Sequence, residues 1–202
     1  LDNYGYLTDA PADEPLQSNI IIGGNIPASG ELDSAWKFRK DNSDPVSGRI
    51  ITYLGGYKNI DGAAYLIKRT ADSSGRYFMY QEFPIEDFYT EKTYTLNAYM
   101  RGYQINKNVS TLPEQYGTYL YVEFVDSNGN VIETAVDYSS KMPFGVSDWN
   151  LYSLSFIPNI QNTASIRVGV LTDSIICETA IDDVTLTYEH SIIPDYTGDT
   201  TK

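Results

Sequence analysis

A chain of 202 residues that is 42% hydrophobic can bury a sizeable core, and its length fits one all-β domain with tails. Fourteen Lys and Arg stand against 27 Asp and Glu, a net charge of -13, which disfavours nucleic acid and anionic membrane surfaces as partners. The single cysteine, Cys177, excludes an internal disulfide and a thiolate metal cluster, and no apolar run approaches the ~18 residues of a membrane-spanning helix.

The chain opens and closes on aperiodic, Pro-containing segments, residues 1–18 and 189–202, which read as linkers or tails of a module within a larger protein. Between them, residues 19–188 carry short alternating segments. In order these are NIIIGG, RIITYLGG, AAYLIKRT, RYFMYQEFPI, TYTLNAYMRGY, TYLYVEFVD, VIETAVDY, NLYSLSFI, SIRVGVLT and TAIDDVTLTYE. No stretch sustains a helical period. DSNGN at 126–130 supplies the Asn-Gly cue for a hairpin between the sixth and seventh segments. So many short strands predict an antiparallel β-sandwich or barrel.

Strand parity assigns faces. In TYTLNAYMRGY, residues Tyr94, Leu96, Ala98 and Met100 form the core set, leaving Asn97, Tyr99, Arg101 and Tyr103 opposite. TYLYVEFV repeats the pattern, with Leu120, Val122 and Phe124 inward and Tyr119, Tyr121 and Glu123 outward. SIRVGVL turns Ile166, Val168 and Val170 inward and Arg167 outward. If these strands are neighbours, their outer faces make one tyrosine-rich surface. Eighteen tyrosines against 7 Phe and 2 Trp are more than a core needs, because each buried hydroxyl requires a partner.

Catalytic signatures are sparse. His190 is the only histidine and lies in the C-terminal tail, which disfavours a Ser-His-Asp arrangement and a histidine-ligated metal. A carboxylate pair for glycoside hydrolysis, with Glu123 as one member, is the surviving catalytic alternative. In TAIDDVTLTYE, Asp182 shares its parity with Ala180, Val184, Leu186 and Tyr188 and would face the core. Either the strand begins at Val184 and both acids lie in a loop, or a hard cation such as Ca²⁺ occupies the site. Trp149 reads as core or edge packing, and Trp36 as a cleft-edge platform or a lid over the core.

Taken in order, FMYQEFPI, YTLNAYMRG, YLYVEFVDSNGNVI, Trp149 followed by LYSLSFIP, ASIRVGV and AIDDVTLT resemble the jelly-roll carbohydrate-binding modules of the family 4, 9, 16 and 22 type. The resemblance spans roughly residues 19–188. It implies a non-catalytic module that holds a polysaccharide or oligosaccharide on a concave sheet, with a structural Ca²⁺ near the domain termini. By position it implies Asp182, Asp183 and, in place of the family's Phe-Glu pair, Glu31 as metal ligands. It implies Tyr99, Asn97, Arg101, Tyr121 and Glu123 as glycan contacts, with Tyr119, Tyr80 and Trp36 beside them, and an extracellular setting in a secreted hydrolase or a phage tail or baseplate protein. Arg101 has two readings, a fork for an acidic substituent or a partner of Tyr99 or Glu123. A protein-docking or spacer sandwich is the alternative outside glycan binding.

Overall fold

The structure, a computed structural model, describes residues 19–27, 31–41, 46–51, 63–70, 75–105, 113–159 and 161–188. Both predicted tails, and His190 with them, lie outside these residues. Among the described residues ten strands form two five-stranded antiparallel sheets packed face to face. One sheet takes the order β1 (Lys37–Lys40), β4 (Arg76–Pro84), β9 (Ser165–Asp173), β6 (Gly117–Val125), β7 (Val131–Val136). The other runs β2 (Val46–Ile51), β3 (Ala64–Arg69), β10 (Ile176–Tyr188), β5 (Tyr94–Ile105), β8 (Gly145–Phe156). We call them the β6 sheet and the β5 sheet. This is the jelly-roll sandwich expected from the sequence.

The core follows the predicted parities. Leu96, Ala98 and Met100 of β5 meet Leu120, Val122 and Phe124 of β6 and Ile166, Val168 and Val170 of β9, all essentially solvent-free. Each large apolar side chain so buried contributes on the order of 1.5–3 kcal/mol. Tyr94 is also fully buried, its ring stacked on Phe156 and its hydroxyl accepting from the Tyr89 amide at 2.8 Å. Cys177 is buried, and desolvation pushes its thiol up, so it is inert packing. The DSNGN turn closes β6 onto β7, with the Asp126 carboxylate accepting from the Asn128 and Asn130 amides at 2.8 Å each and Gly129 at φ 85°.

Two expectations change. NIIIGG is not a strand. Residues 19–27 instead lie along the sandwich through side-chain bonds and isolated backbone bonds: Asn19 Oδ1 accepts from the Leu186 amide at 2.9 Å, the Gln81 amide group pairs with both backbone groups of Ile22, and the Ile20 amide donates to the Leu186 carbonyl at 2.9 Å. A short apolar run followed by glycines gives no hint that side chains are among its partners. The second change concerns β10, which runs unbroken through Asp182 and Asp183. A bulge between Asp182 and Thr185, with Asp183 at φ 52°, resets the alternation. Before the bulge Ile181 is in the core and Ala180 is on the outer face; after it Val184 and Leu186 are in the core. The loop alternative does not hold, and parity cannot be carried across the extra residue; Asp182 is nonetheless buried, 3% exposed.

Candidate functional site

The outer face of the β6 sheet is built from side chains in cross-strand ranks. Arg39, Phe78, Leu171 and Tyr119 form one rank, Lys37, Tyr80, Gly169 and Tyr121 the next, and Glu82, Arg167 and Glu123 another. Arg39 on edge strand β1 is therefore three strand spacings from β6, roughly 14 Å, and its rank is four residues, roughly 13 Å, from that of Glu123. Yet its guanidinium grips both Glu123 oxygens, at 2.6 and 3.0 Å. The two side chains could not span that diagonal on a flat sheet. The face is concave along this diagonal.

The ion pair covers one flank of the concavity. The Arg39 guanidinium carbon sits 3.8 Å from the Phe78 ring centroid. Arg167 reaches Glu82 at 3.2 Å and Glu123 at 3.8 Å, and Lys37 and Ser165 complete the shell of Glu82. Burial alone would raise the Glu82 carboxyl, but the bonds from Ser165 and Lys37 and the charge of Arg167 hold it below its ordinary value. Under this shell lies Tyr121, 0% exposed, its ring edge-on to Phe78 at 5.2 Å and its hydroxyl without a hydrogen-bond partner. Burial, then the adjacent Glu123 charge, pushes that hydroxyl far up. Tyr121→Phe removes a buried orphan while keeping the ring, and urea unfolding should show stability unchanged or raised by up to about 1 kcal/mol.

The other flank is open. A cleft of about 650 Å³ crosses the sheet from Asp41 to Thr134 and Val136, within the roughly 300–1,000 Å³ of small-ligand sites. Tyr119 and Leu171 form its floor, with Tyr116 and Tyr138 as half-buried walls. Tyr138 meets Tyr119 edge-on, centroids 5.3 Å apart at 83°. It opens the short 3-10 turn Tyr138–Ser140, which Asp137 caps by accepting from the Ser139 amide and hydroxyl. Gln104 fixes the approach to β6 by donating to the Met142 and Pro143 carbonyls and accepting from the Thr118 amide.

Polar groups gather at one end. Arg76 Nε donates to Asp41 at 2.6 Å, and Ser174 Oγ donates to Asp173 Oδ1 at 2.6 Å. Asp173 is 7% exposed. Its burial raises the carboxyl above the usual range, against the Ser174 bond and the nearby Arg76 and Arg69, with Asp41 adding to the rise. Aromatic walls with convergent hydroxyl, amide, carboxylate and guanidinium groups suit a hydroxyl-rich ligand.

The predicted glycan contacts divide among four places. Tyr119 lines the cleft, while Tyr80, Tyr121 and Glu123 share its face beneath the ion pairs. Asn97, Tyr99 and Arg101 do not join them. Their strand, β5, is in the opposite sheet, so they lie on the far outer face. There Asn97 accepts from Ser153 Oγ at 2.6 Å, Arg101 approaches Asp148 at 3.9 Å, and Tyr99 borders a small hollow of about 250 Å³. The single predicted surface is thus two surfaces, because the consecutive strands β5 and β6 belong to different sheets and strand parity does not name the sheet. Trp36 is in the core, 5% exposed, with its indole donating to the Gly23 carbonyl at 3.0 Å; it is the lid of the two readings. Trp149 packs against a small apolar cluster of Ile51, Ala64, Leu66 and Ala180 on the outer face of the β5 sheet.

The expected calcium ligands do not assemble. Among the described residues no group of three or more His, Cys, Asp or Glu converges, and Glu31 is exposed. Asp182 Oδ1 accepts from the Ile26 amide at 3.1 Å and the Asp183 amide at 2.8 Å. The carboxylate is used to hold backbone, so the described side chains do not fit the expected metal site.

Sequence reasoning missed Tyr116, Tyr138, Asp41, Arg76 and Asp173. Only Arg76 and Asp173 lie in strands, at their ends, and the others come from connections that carry no alternation.

No family model matches this sequence, and no curated protein sequence matches it. Several solved structures share the fold. The enzymatically active domain of tailspike protein 4 of bacteriophage CBA120 is 15% identical with a TM-score of 0.62, over 84% of this chain and 21% of that one. A xylan-binding domain of carbohydrate-binding-module family 22 is 16% identical with a TM-score of 0.52, over 83% and 94%. A xylan-binding domain of the same family from Paenibacillus barcinonensis is 10% identical with a TM-score of 0.50, over 82% and 92%. This chain thus spans about a fifth of the tailspike domain and nearly all of each xylan-binding domain.

Proposed function

We propose that this chain is a non-catalytic carbohydrate-binding module that holds a polysaccharide or oligosaccharide in the cleft on the concave face of the β6 sheet. The observation that carries this reading is the cleft itself: curved, walled by Tyr116 and Tyr138, floored by Tyr119 and supplied with polar groups at one end. Tyrosine gives large, stiff contact area to the apolar faces of sugar rings, and its hydroxyl can bond to theirs. The fold it shares with xylan-binding domains supports the reading. Glu123, the acid named for the catalytic alternative, has both oxygens engaged by Arg39, which favours binding over turnover.

The setting we infer is extracellular, as an adhesion module of a phage tail or baseplate protein or a targeting module of a secreted hydrolase. The phage tailspike domain and an arabinofuranosidase structure, with a TM-score of 0.50, both contain this fold.

The test is a panel of cell-wall and plant polysaccharides, followed by titration of the best binder. Each wall ring should contribute on the order of 1 kcal/mol. Tyr116→Ala and Tyr138→Ala are each expected to weaken binding about fivefold and the double variant about thirtyfold, with Tyr99→Ala without effect. Loss on Tyr99→Ala with retention in the double variant would move the site to the opposite face. No binding by the folded wild-type protein would end the glycan reading.

A further inference from the structure

The edge strands of the two sheets are not equally protected. An open edge presents unpaired backbone donors and acceptors, and short length, charge, Pro or a bulge keeps it from pairing with another chain. Strand β1 is four residues long with three cations, β2 is six with Arg49, and β7 is six with Glu133 beside a bulge. The remaining edge, β8, is 12 residues long and Asp148 is its one charge. Asp148 and Trp149 together face Arg101 in a bulge, where Asp148 Oδ1 accepts from the Trp149 amide at 2.8 Å. Beyond it, from residue 150 to residue 156, the ladder to β5 is unbroken. That stretch, NLYSLSF, has no charge, Gly or Pro, the composition of a segment that pairs with its own kind. Leu151 is 51% exposed, and Ile157, just past the strand, 59%. Among the described residues β8 has no backbone partner other than β5.

We propose that residues 150–156 of β8 are the contact through which two copies of this chain associate, antiparallel about a twofold axis at Ser153. A second copy fits this edge because it brings the same open strand, and one isologous contact covers both. Directly opposed residues share a face, so Ser153 meets itself, Leu151 meets the partner's Ser155, and Trp149 meets the partner's Ile157. No charge faces a charge. The two Asp148 carboxylates are about ten residues apart along the strands, roughly 33 Å, beyond the ~8 Å screening length of physiological salt. The opposing force is the net charge of -13 on each copy, so association tightens as salt rises. Strand β8 belongs to the β5 sheet, whereas the cleft is on the outer face of the β6 sheet. Both clefts therefore stay open, and on the glycan reading a repeating polymer held at two of them gains avidity.

The experiment is sedimentation velocity of the unliganded protein from micromolar to millimolar concentration, at low and physiological salt, with amide exchange at both ends of the range. The wild-type protein is expected to dimerise reversibly, more tightly at the higher salt, and to gain amide protection within residues 150–156 as the dimer forms. Ser153→Lys, at an exposed position, sets two ammonium groups opposite each other and should weaken the dimer at least about fivefold. Val146→Lys adds the same charge on the other side of the bulge, where Val146 is 84% exposed, and should change the dissociation constant less than about twofold. Circular dichroism and the melting temperature check the fold of each variant. Should Ser153→Lys fold poorly, Ser155→Lys, opposite the partner's Leu151, should weaken the dimer in the same direction. A monomer at every concentration would leave the edge to some other chain and overturn the proposal. So would a dimer that leaves these amides unprotected, or one that Val146→Lys weakens as much as Ser153→Lys. None of these measurements involves a glycan, so their failure is distinguishable from failure of the cleft to bind one.

Discussion

Glu123→Ala is expected to destabilise the sandwich by about 3–5 kcal/mol, the range for removing one member of a buried, hydrogen-bonded ion pair. Glu123 is 3% exposed, and the Arg39 guanidinium is bound to both its oxygens with Arg167 at 3.8 Å. Truncation would leave two arginines facing each other across a concavity without the charge between them. Part of the cost is geometric. Arg39 belongs to β1, a four-residue edge strand attached to the sheet through β4 alone, and the bidentate bridge ties it across β4 and β9 to β6. Without the bridge β1 is held by its ladder bonds to β4 and by Phe38 against Tyr65 and Tyr77. Urea unfolding gives the stability, and amide exchange in Lys37–Lys40 reads the edge strand directly. Glu123→Gln should fall between the wild-type protein and the alanine variant, since it keeps the side-chain length but not the charge. A loss below about 1 kcal/mol in Glu123→Ala would show the bridge to be no stronger than an exposed surface pair.

The same bridge marks the limit of what the sequence makes legible. Alternation in TYLYVEFV and SIRVGVL assigns Tyr119, Tyr121, Glu123 and Arg167 to an outer face, and they share one in the structure. Alternation in TYTLNAYMRGY is equally correct about Asn97, Tyr99 and Arg101 and yet places them on the wrong surface. Period-2 patterning distinguishes the two sides of a strand, whereas membership of a sheet depends on long-range pairing that leaves no local trace. Strand β1, KFRK, shows no apolar alternation because a charged edge strand is protected from further pairing, so the residue that reveals the curvature, Arg39, lay in a segment without signal. Cleft walls Tyr116 and Tyr138 come from connections, where composition records only solvent exposure.

Asp182→Ala should cost about 2–4 kcal/mol and loosen the segment from residue 19 to residue 27. Asp182 is 3% exposed, and its Oδ1 accepts from the amide of Ile26, a core residue with no exposure, across 156 positions of sequence. Losing the acceptor leaves that amide buried and unmet, at about 1–3 kcal/mol, and removes the Asp183 amide bond that supports a non-glycine residue at φ 52°. The adjoining contacts do not replace it. Val184 donates to the Gly24 carbonyl at 2.9 Å, and a Cβ on Gly24 would come within 1.9 Å of the Val184 carbonyl oxygen, so this crossing of the two segments has no room to shift. Asn19 ties the segment only at its start. The melting temperature and the protection of the Ile26 amide against exchange should fall together in Asp182→Ala, while Asp182→Asn, which retains an uncharged acceptor, should lose about half as much. A chelator separates this backbone clamp from the calcium site implied by the resemblance: EDTA is expected to leave the wild-type melting temperature unchanged. A fall of several degrees with EDTA that disappears in Asp182→Ala would assign the carboxylate to a metal, because only a ligand bound to the folded state can be withdrawn in that way.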